Sequence, residues 1–100
     1  MYQCISIAYL KPDKVDEVLA AAQELAEITH KQKGNLEYYV AKPEGKENTL
    51  IMIEKWETEA DFQAHVDPNG EGAEAMGKFV SVIEPASEKP SDLYPGPVVG

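Results

Sequence analysis

The segment Thr49 to Glu57, TLIMIEKWE, constrains the fold more than any other part of this chain. Strand alternation sends Leu50, Met52, Glu54 and Trp56 to one face, and Ile51, Ile53 and Lys55 to the other. Both faces are largely apolar, so neither is simply washed by solvent. Tyr2 to Leu10, YQCISIAYL, has the same character and reads as a central strand covered on both sides. The chain has only 100 residues, enough for one domain. A folded monomer of this mass exposes roughly 5,600 Å² and has a modest core. Its own helices can cover one sheet face. The other face needs a partner.

The remaining elements follow from punctuation and period. Lys11-Pro12-Asp13 breaks the first strand, and Asp13 is the expected N-cap, with Asp16 in the capping-box position. Val15, Val18, Leu19, Ala22, Leu25, Ala26 and Thr29 then share one helical stripe, running to about Lys33 with Gly34 as the expected C′ glycine. Leu36 to Lys42 and Thr49 to Glu57 read as strands of a hairpin, joined through Pro43, Gly45 and Asn48. Thr58-Glu59-Ala60-Asp61 opens a short helix to about Val66. A turn at Asp67 to Gly70 precedes a helix from about Glu71 to Ile83. The tail holds Pro85, Pro90, Pro95 and Pro97, and is expected to supply at best a short edge strand near Asp92 to Tyr94. The order β-α-β-β-α-α-β predicts a ferredoxin-like α+β unit. It forms a single domain with its core at about residues 2–84 and a Pro-rich arm at about 85–100. The bare apolar face predicts a homodimer in which two sheets pack together.

Charge narrows the function classes. Eighteen acidic residues against nine basic ones leave a net charge of −9, and all nine basic residues are lysine. That balance opposes nucleic acid and an anionic membrane surface. Without arginine, the bidentate grip on phosphate is missing. Two histidines and one cysteine make a clustered metal site implausible, and no Gly-rich phosphate loop or nucleophile elbow is present. A single cysteine, Cys4, permits no intrachain disulfide, which suits a reducing compartment. The N-terminus lacks a secretory pattern. A cytoplasmic protein is expected.

The run Glu54-Lys55-Trp56-Glu57-Thr58-Glu59-Ala60-Asp61-Phe62-Gln63-Ala64-His65 resembles the E-x-W-x-s-x-x-A-f-x-x-H signature of the antibiotic biosynthesis monooxygenase domain. Lys14-Val15-Asp16-Glu17 and Gly34-Asn35-Leu36 look like that family's other landmarks. The resemblance spans roughly residues 2–94 and implies a dimeric α+β barrel. Family members include small cofactor-independent oxygenases of quinols and polycyclic phenols, haem-degrading enzymes, and an isomerase of a phosphorylated quorum-sensing signal. Polyketide-oxidising members carry an Asn four residues before the Trp and an Arg later. Here the first position is Met52, and there is no Arg. The haem branch has a ligand histidine on the helix after the signature, and Gly70 to Ile83 contains none. The isomerase branch shares the Gly-Asn-Leu opening and the histidine at His65, but its phosphate would need lysines such as Lys78 or Lys89.

The resemblance thus points to a monooxygenase using no cofactor and no metal, with a small aromatic substrate and O₂ as its partners. A deprotonated electron-rich phenol can itself reduce O₂, so the protein need supply only an apolar pocket, a proton acceptor and oxyanion donors. His65 is the expected acid or base, since histidine titrates near neutrality; its bland role would be to cap the second helix. Trp56 and Met52 are the expected pocket floor, Trp56 serving equally as core. Phe62, Met76 and Phe79 are the expected walls. One of Tyr38 and Tyr39 reaches the pocket; Tyr38 is placed with the substrate-binding residues. Glu54 is expected to make a structural hydrogen bond at the dimer interface rather than to catalyse. His30 has a dipole or surface role, and Cys4 is inert core. Two other functions compete: isomerisation of a small phosphorylated metabolite, and a non-catalytic dimer that binds a small ligand.

Overall fold

The computed structural model describes residues 1–100. The chain runs β1 (Tyr2–Leu10), a 3-10 turn (Pro12–Lys14), α1 (Val15–Thr29), β2 (Asn35–Ala41), β3 (Thr49–Trp56), α2 (Glu59–Val66), α3 (Ala73–Ala86) and β4 (Ser87–Pro97). The strands form one antiparallel sheet in the order β2-β3-β1-β4. This is the ferredoxin-like α+β arrangement. No helix is long and apolar enough to cross a membrane.

One sheet face is the core. Cys4, Ser6, Ala8 and Leu10 of β1, Tyr38 of β2, and Leu50, Met52, Glu54 and Trp56 of β3 are all buried. Val18, Ala22, Leu25 and Ala26 of α1 and Phe79, Ile83 and Ala86 of α3 join them from the helix layer. The opposite face is open. Register aligns Tyr39 with Ile53, Ile53 with Ile5, and Ile5 with Tyr94, so one apolar row crosses all four strands. Ile7 and Ile51 pair beside it. Tyr39 is 49% exposed and Tyr94 57%. The chain is accordingly a slab of 36 × 31 × 20 Å. Its 6062 Å² of surface exceeds the roughly 5,600 Å² expected for its mass.

Three elements differ from expectation in their bounds. The first helix is shorter. Pro12 opens a 3-10 turn that contains Asp13, and Lys14 takes the N-cap position of α1 without a side-chain bond. At its other end α1 stops at Thr29, well before Gly34. The last helix runs past Ile83 through Pro85, because a proline near the C-terminal end forfeits one hydrogen bond and the helix ends one residue later. The tail is a full strand of 11 residues rather than a short stub. β4 has β1 as its only neighbour. Its outward backbone groups need no partner, which is where prolines are tolerated in sheets. Pro90 falls at the irregularity where Ile7 pairs Asp92 and Tyr9 pairs Lys89.

Gly34 closes the loop between α1 and β2 at φ +80°. A Cβ there would overlap the Asp61 side chain of α2. Gly34→Ala is therefore expected to destabilise by about 2 kcal/mol, combining the left-handed backbone penalty with the clash. Urea titration measures it; an unchanged midpoint would show that the loop rearranges freely.

Candidate functional site

A cavity of about 390 Å³ lies between the covered sheet face and helices α2 and α3. Cys4 and Ser6 of β1, Tyr38 of β2, and Met52 and Glu54 of β3 form its floor. Phe62, Met76 and Phe79 wall it from the helices, with Ser91 and Leu93 of β4 at one side. Its volume falls in the range of small-molecule sites. Met52, Phe62, Met76 and Phe79 all line this cavity. Alternation turns Tyr38 inward and Tyr39 to the open face.

The polar part of the site centres on Glu54. Strand alternation sets Glu54 and Trp56 side by side on the same face, and the Trp56 Nε1–H donates to Glu54 Oε1 at 2.9 Å. Oε2 makes no hydrogen bond within the chain, and the carboxyl lines the cavity. Glu54 is only 5% exposed. Burial pushes its pKa up to about 7, with the Trp56 bond opposing. The other titratable groups of the floor stay neutral near pH 7. Burial and the nearby Glu54 charge raise both the Tyr38 hydroxyl and the Cys4 thiol.

His65 and Trp56 do not line the cavity. They form a layer behind Glu54, with His65 1% exposed and Trp56 fully buried. Their rings stack obliquely at 4.9 Å, and Tyr38 meets His65 edge-on at 6.0 Å. Thr58 fixes the start of α2 by accepting the Asp61 N–H, and His65 follows in the last turn. The next turn folds back so closely that a Cβ on Gly72 would overlap the His65 backbone. The His65 ring turns inward instead of capping the helix. Its Nδ1–H donates to Gln32 Oε1 at 2.8 Å. Its Nε2 stands 3.9 Å from Glu54 Oε1, too far for a hydrogen bond, and has no partner. Burial pushes the imidazole pKa down to about 4, so His65 is neutral near pH 7 and the contact with Glu54 is not an ion pair.

Three expectations about this cluster change. Trp56, expected with Met52 as the pocket floor, lies behind Glu54 and does not line the cavity. Glu54 belongs to the helix-covered face and opens into the cavity, whereas the sequence reading put it at a dimer interface. His65, read as the acid or base in the pocket, reaches it only through Glu54. His30 sits exposed at the end of α1 and its Nε2–H donates to the Tyr38 carbonyl at 2.7 Å. Gln32 was not singled out at all. It lies in the irregular loop after α1, where no periodicity marks it. Neither candidate phosphate-binding lysine lines the cavity. Lys78 pairs with Glu24 of α1, and Lys89 lies 4.1 Å over the Tyr9 ring. No three His, Cys, Asp or Glu side chains converge as a metal site.

Comparison with known proteins agrees with this architecture. Residues 1–70 match the family described as antibiotic biosynthesis monooxygenase. Over 70 residues, 69% of this chain and 74% of the relative, the chain is 37% identical to a Bacillus subtilis (strain 168) protein named "Putative monooxygenase YcnE". A crystal structure of an antibiotic biosynthesis monooxygenase superposes with a TM-score of 0.82 over 100% of both chains at 21% identity. Rv0793 from Mycobacterium tuberculosis gives 0.84 over 99% of this chain and 95% of its own at 11% identity. These two likenesses are of fold. The chain belongs to the antibiotic biosynthesis monooxygenase family, whose members imply a small-molecule substrate.

Proposed function

We propose that this chain is a cofactor-independent monooxygenase of a small quinol-like or phenolic aromatic, acting with O₂ as a homodimer. The observation that carries the reading is Glu54. It is a buried carboxyl poised near neutrality, with one oxygen held by Trp56 and the other free toward an apolar cavity. A substrate held there by burial would place a phenolic O–H against Oε2. Glu54 takes that proton, and the phenolate passes one electron to O₂. The superoxide and ring radical combine at a ring carbon, and Glu54 returns its proton to the peroxide. Loss of the ring C–H proton with cleavage of the O–O bond completes the turnover. The ring loses two hydrogens and gains one oxygen atom; the second oxygen leaves as water. The substrate supplies all four electrons, so the chemistry needs no external reductant. A general base poised near the working pH is worth roughly 10²- to 10⁴-fold in rate.

The absence of a lysine from the cavity lining counts against a phosphorylated substrate for isomerisation. The open volume counts against a fold whose pocket has been filled by side chains. The bare row of Tyr39, Ile53, Ile5 and Tyr94 supports the dimer. The test is oxygen uptake on a panel of naphthols and quinols, with no flavin, nicotinamide or added metal. The expected result is one O₂ consumed per quinone formed, with one atom of labelled oxygen in the product. Wild-type protein that consumes no O₂ above the spontaneous rate with any of them would overturn the reading.

A further inference from the structure

The Nε2 of His65 is one of two buried side-chain polar atoms without a partner, the other being Thr29 Oγ1. A buried imidazole nitrogen without a partner is destabilising, yet a potential acceptor, Glu54 Oε1, lies 3.9 Å away. Were the ring proton on Nε2, a small movement would give Glu54 a second donor beside Trp56. The proton is on Nδ1 instead, because Gln32 Oε1 accepts it at 2.8 Å. We propose that Gln32 is a positioning residue. By fixing the Nδ1–H tautomer of His65, it withholds a second hydrogen bond from the Glu54 carboxylate and leaves that carboxylate a stronger proton acceptor.

The physical reason is direct. A hydrogen bond donated to a carboxylate stabilises its charged form and weakens it as a base. Trp56 supplies one such bond, enough to aim the group. A second from His65 would stabilise the charged form further and make Glu54 a weaker base. The groups that face Glu54 are Cys4 of β1, Tyr38 of β2, Trp56 of β3 and His65 of α2, and Glu84 of α3 lines the same cavity from its exposed side. The Cys4 thiol points to the Ile5 carbonyl, the Tyr38 hydroxyl makes no hydrogen bond to Glu54, and Trp56 is the carboxyl's one donor. The His65 tautomer is therefore the setting that controls how many donors the carboxylate receives. Gln32 itself is buried but does not line the cavity, so it acts through His65 and not on substrate.

This inference rests on the reading of Glu54 as the proton acceptor, but its test does not depend on activity. Nitrogen-15 NMR of labelled wild-type protein reports the His65 tautomer, with His30 distinguished by a His30→Gln variant. The expected result at pH 7 is a neutral ring protonated at Nδ1. A ring protonated at Nε2, meaning that the Gln32 amide presents its N–H to His65, would overturn the proposal. In Gln32→Leu, the tautomer should move to Nε2–H, and the infrared titration of the Glu54 carboxyl should fall by about one pH unit. An unmoved Glu54 titration with a switched tautomer would also overturn it. If the enzyme oxidises phenols, Gln32→Leu should lower kcat several-fold with KM unchanged, and shift the pH profile to lower pH. If no substrate turns over while the tautomer and titration behave as expected, only the oxygenase reading fails.

Discussion

Glu54→Gln is expected to lower oxygen uptake by 10²-fold or more while making the protein more stable above pH 7. The first effect is loss of the proton acceptor. The second follows from linkage. The folded pKa of Glu54 is raised to about 7 from an ordinary 4.5. A raised carboxyl contributes stability that is fully present below about pH 4.5 and is lost as pH rises through about 7. That shift corresponds to about 3 kcal/mol at pH 8. Glutamine keeps an acceptor for the Trp56 N–H and carries no charge to desolvate. Its Tm at pH 8 should rise by roughly 10 °C. His65 works in the opposite sense. Its folded pKa is lowered to about 4 from 6.5, so its contribution is present above about pH 6.5 and is lost as pH falls through about 4. The two slopes oppose one another between about pH 4.5 and 6.5, and wild-type stability should be nearly flat there. In Glu54→Gln only the histidine remains, and stability should fall steadily with acid over that range. Denaturant titrations at several pH values decide the matter. A variant no more stable than wild type at pH 8 would mean that Glu54 is ionised and well solvated, contrary to its burial.

Ile53→Glu should convert the proposed dimer to a monomer. Ile53 lies mid-row on the open face, between Tyr39 and Ile5. Two such sheets facing each other at about 10 Å would bring both copies into a dry layer. Two unpaired carboxylates there would cost about 4 kcal/mol or more, which is a thousand-fold weaker association. The nearest base on that face, Lys55, is already paired with Glu37 at 3.5 Å. Sedimentation equilibrium distinguishes the outcomes. A wild-type protein that is monomeric at tens of micromolar would remove the dimer from the account. Because Ile53 points away from the cavity, the variant monomer should keep its folded helix layer.

How far this could be read from sequence depended on periodicity. Apolar alternation on both faces of the Thr49 to Trp56 strand announced a central strand, and the helical stripes announced the layer above it. Alternation alone also separated Tyr38 from Tyr39. The edge strand was underestimated, because prolines argue against a strand only where both neighbours need its N–H groups, and β4 has one neighbour. Within the site, Met52, Phe62, Met76 and Phe79 followed from their faces. The polar arrangement did not. Glu54 and Trp56 stand two residues apart on one strand, but that spacing does not say which face the helices cover. Gln32 and His65 are 33 residues apart, and their meeting depends on how the loop closed by Gly34 sits against α2. A histidine near a signature suggests an acid or base. Its full burial behind a carboxyl is a tertiary fact that no local pattern carries.

The pH profile of kcat/KM for oxygen uptake, measured for wild type and Glu54→Gln on one responsive phenol, decides whether Glu54 takes the substrate proton. The wild type should show a rising limb with a midpoint near pH 7. The variant should show uptake lowered at least a hundred-fold, with no such limb. Glu54→Gln turning over at the wild-type rate with the same limb would show that another group takes the proton, and would contradict that role for Glu54.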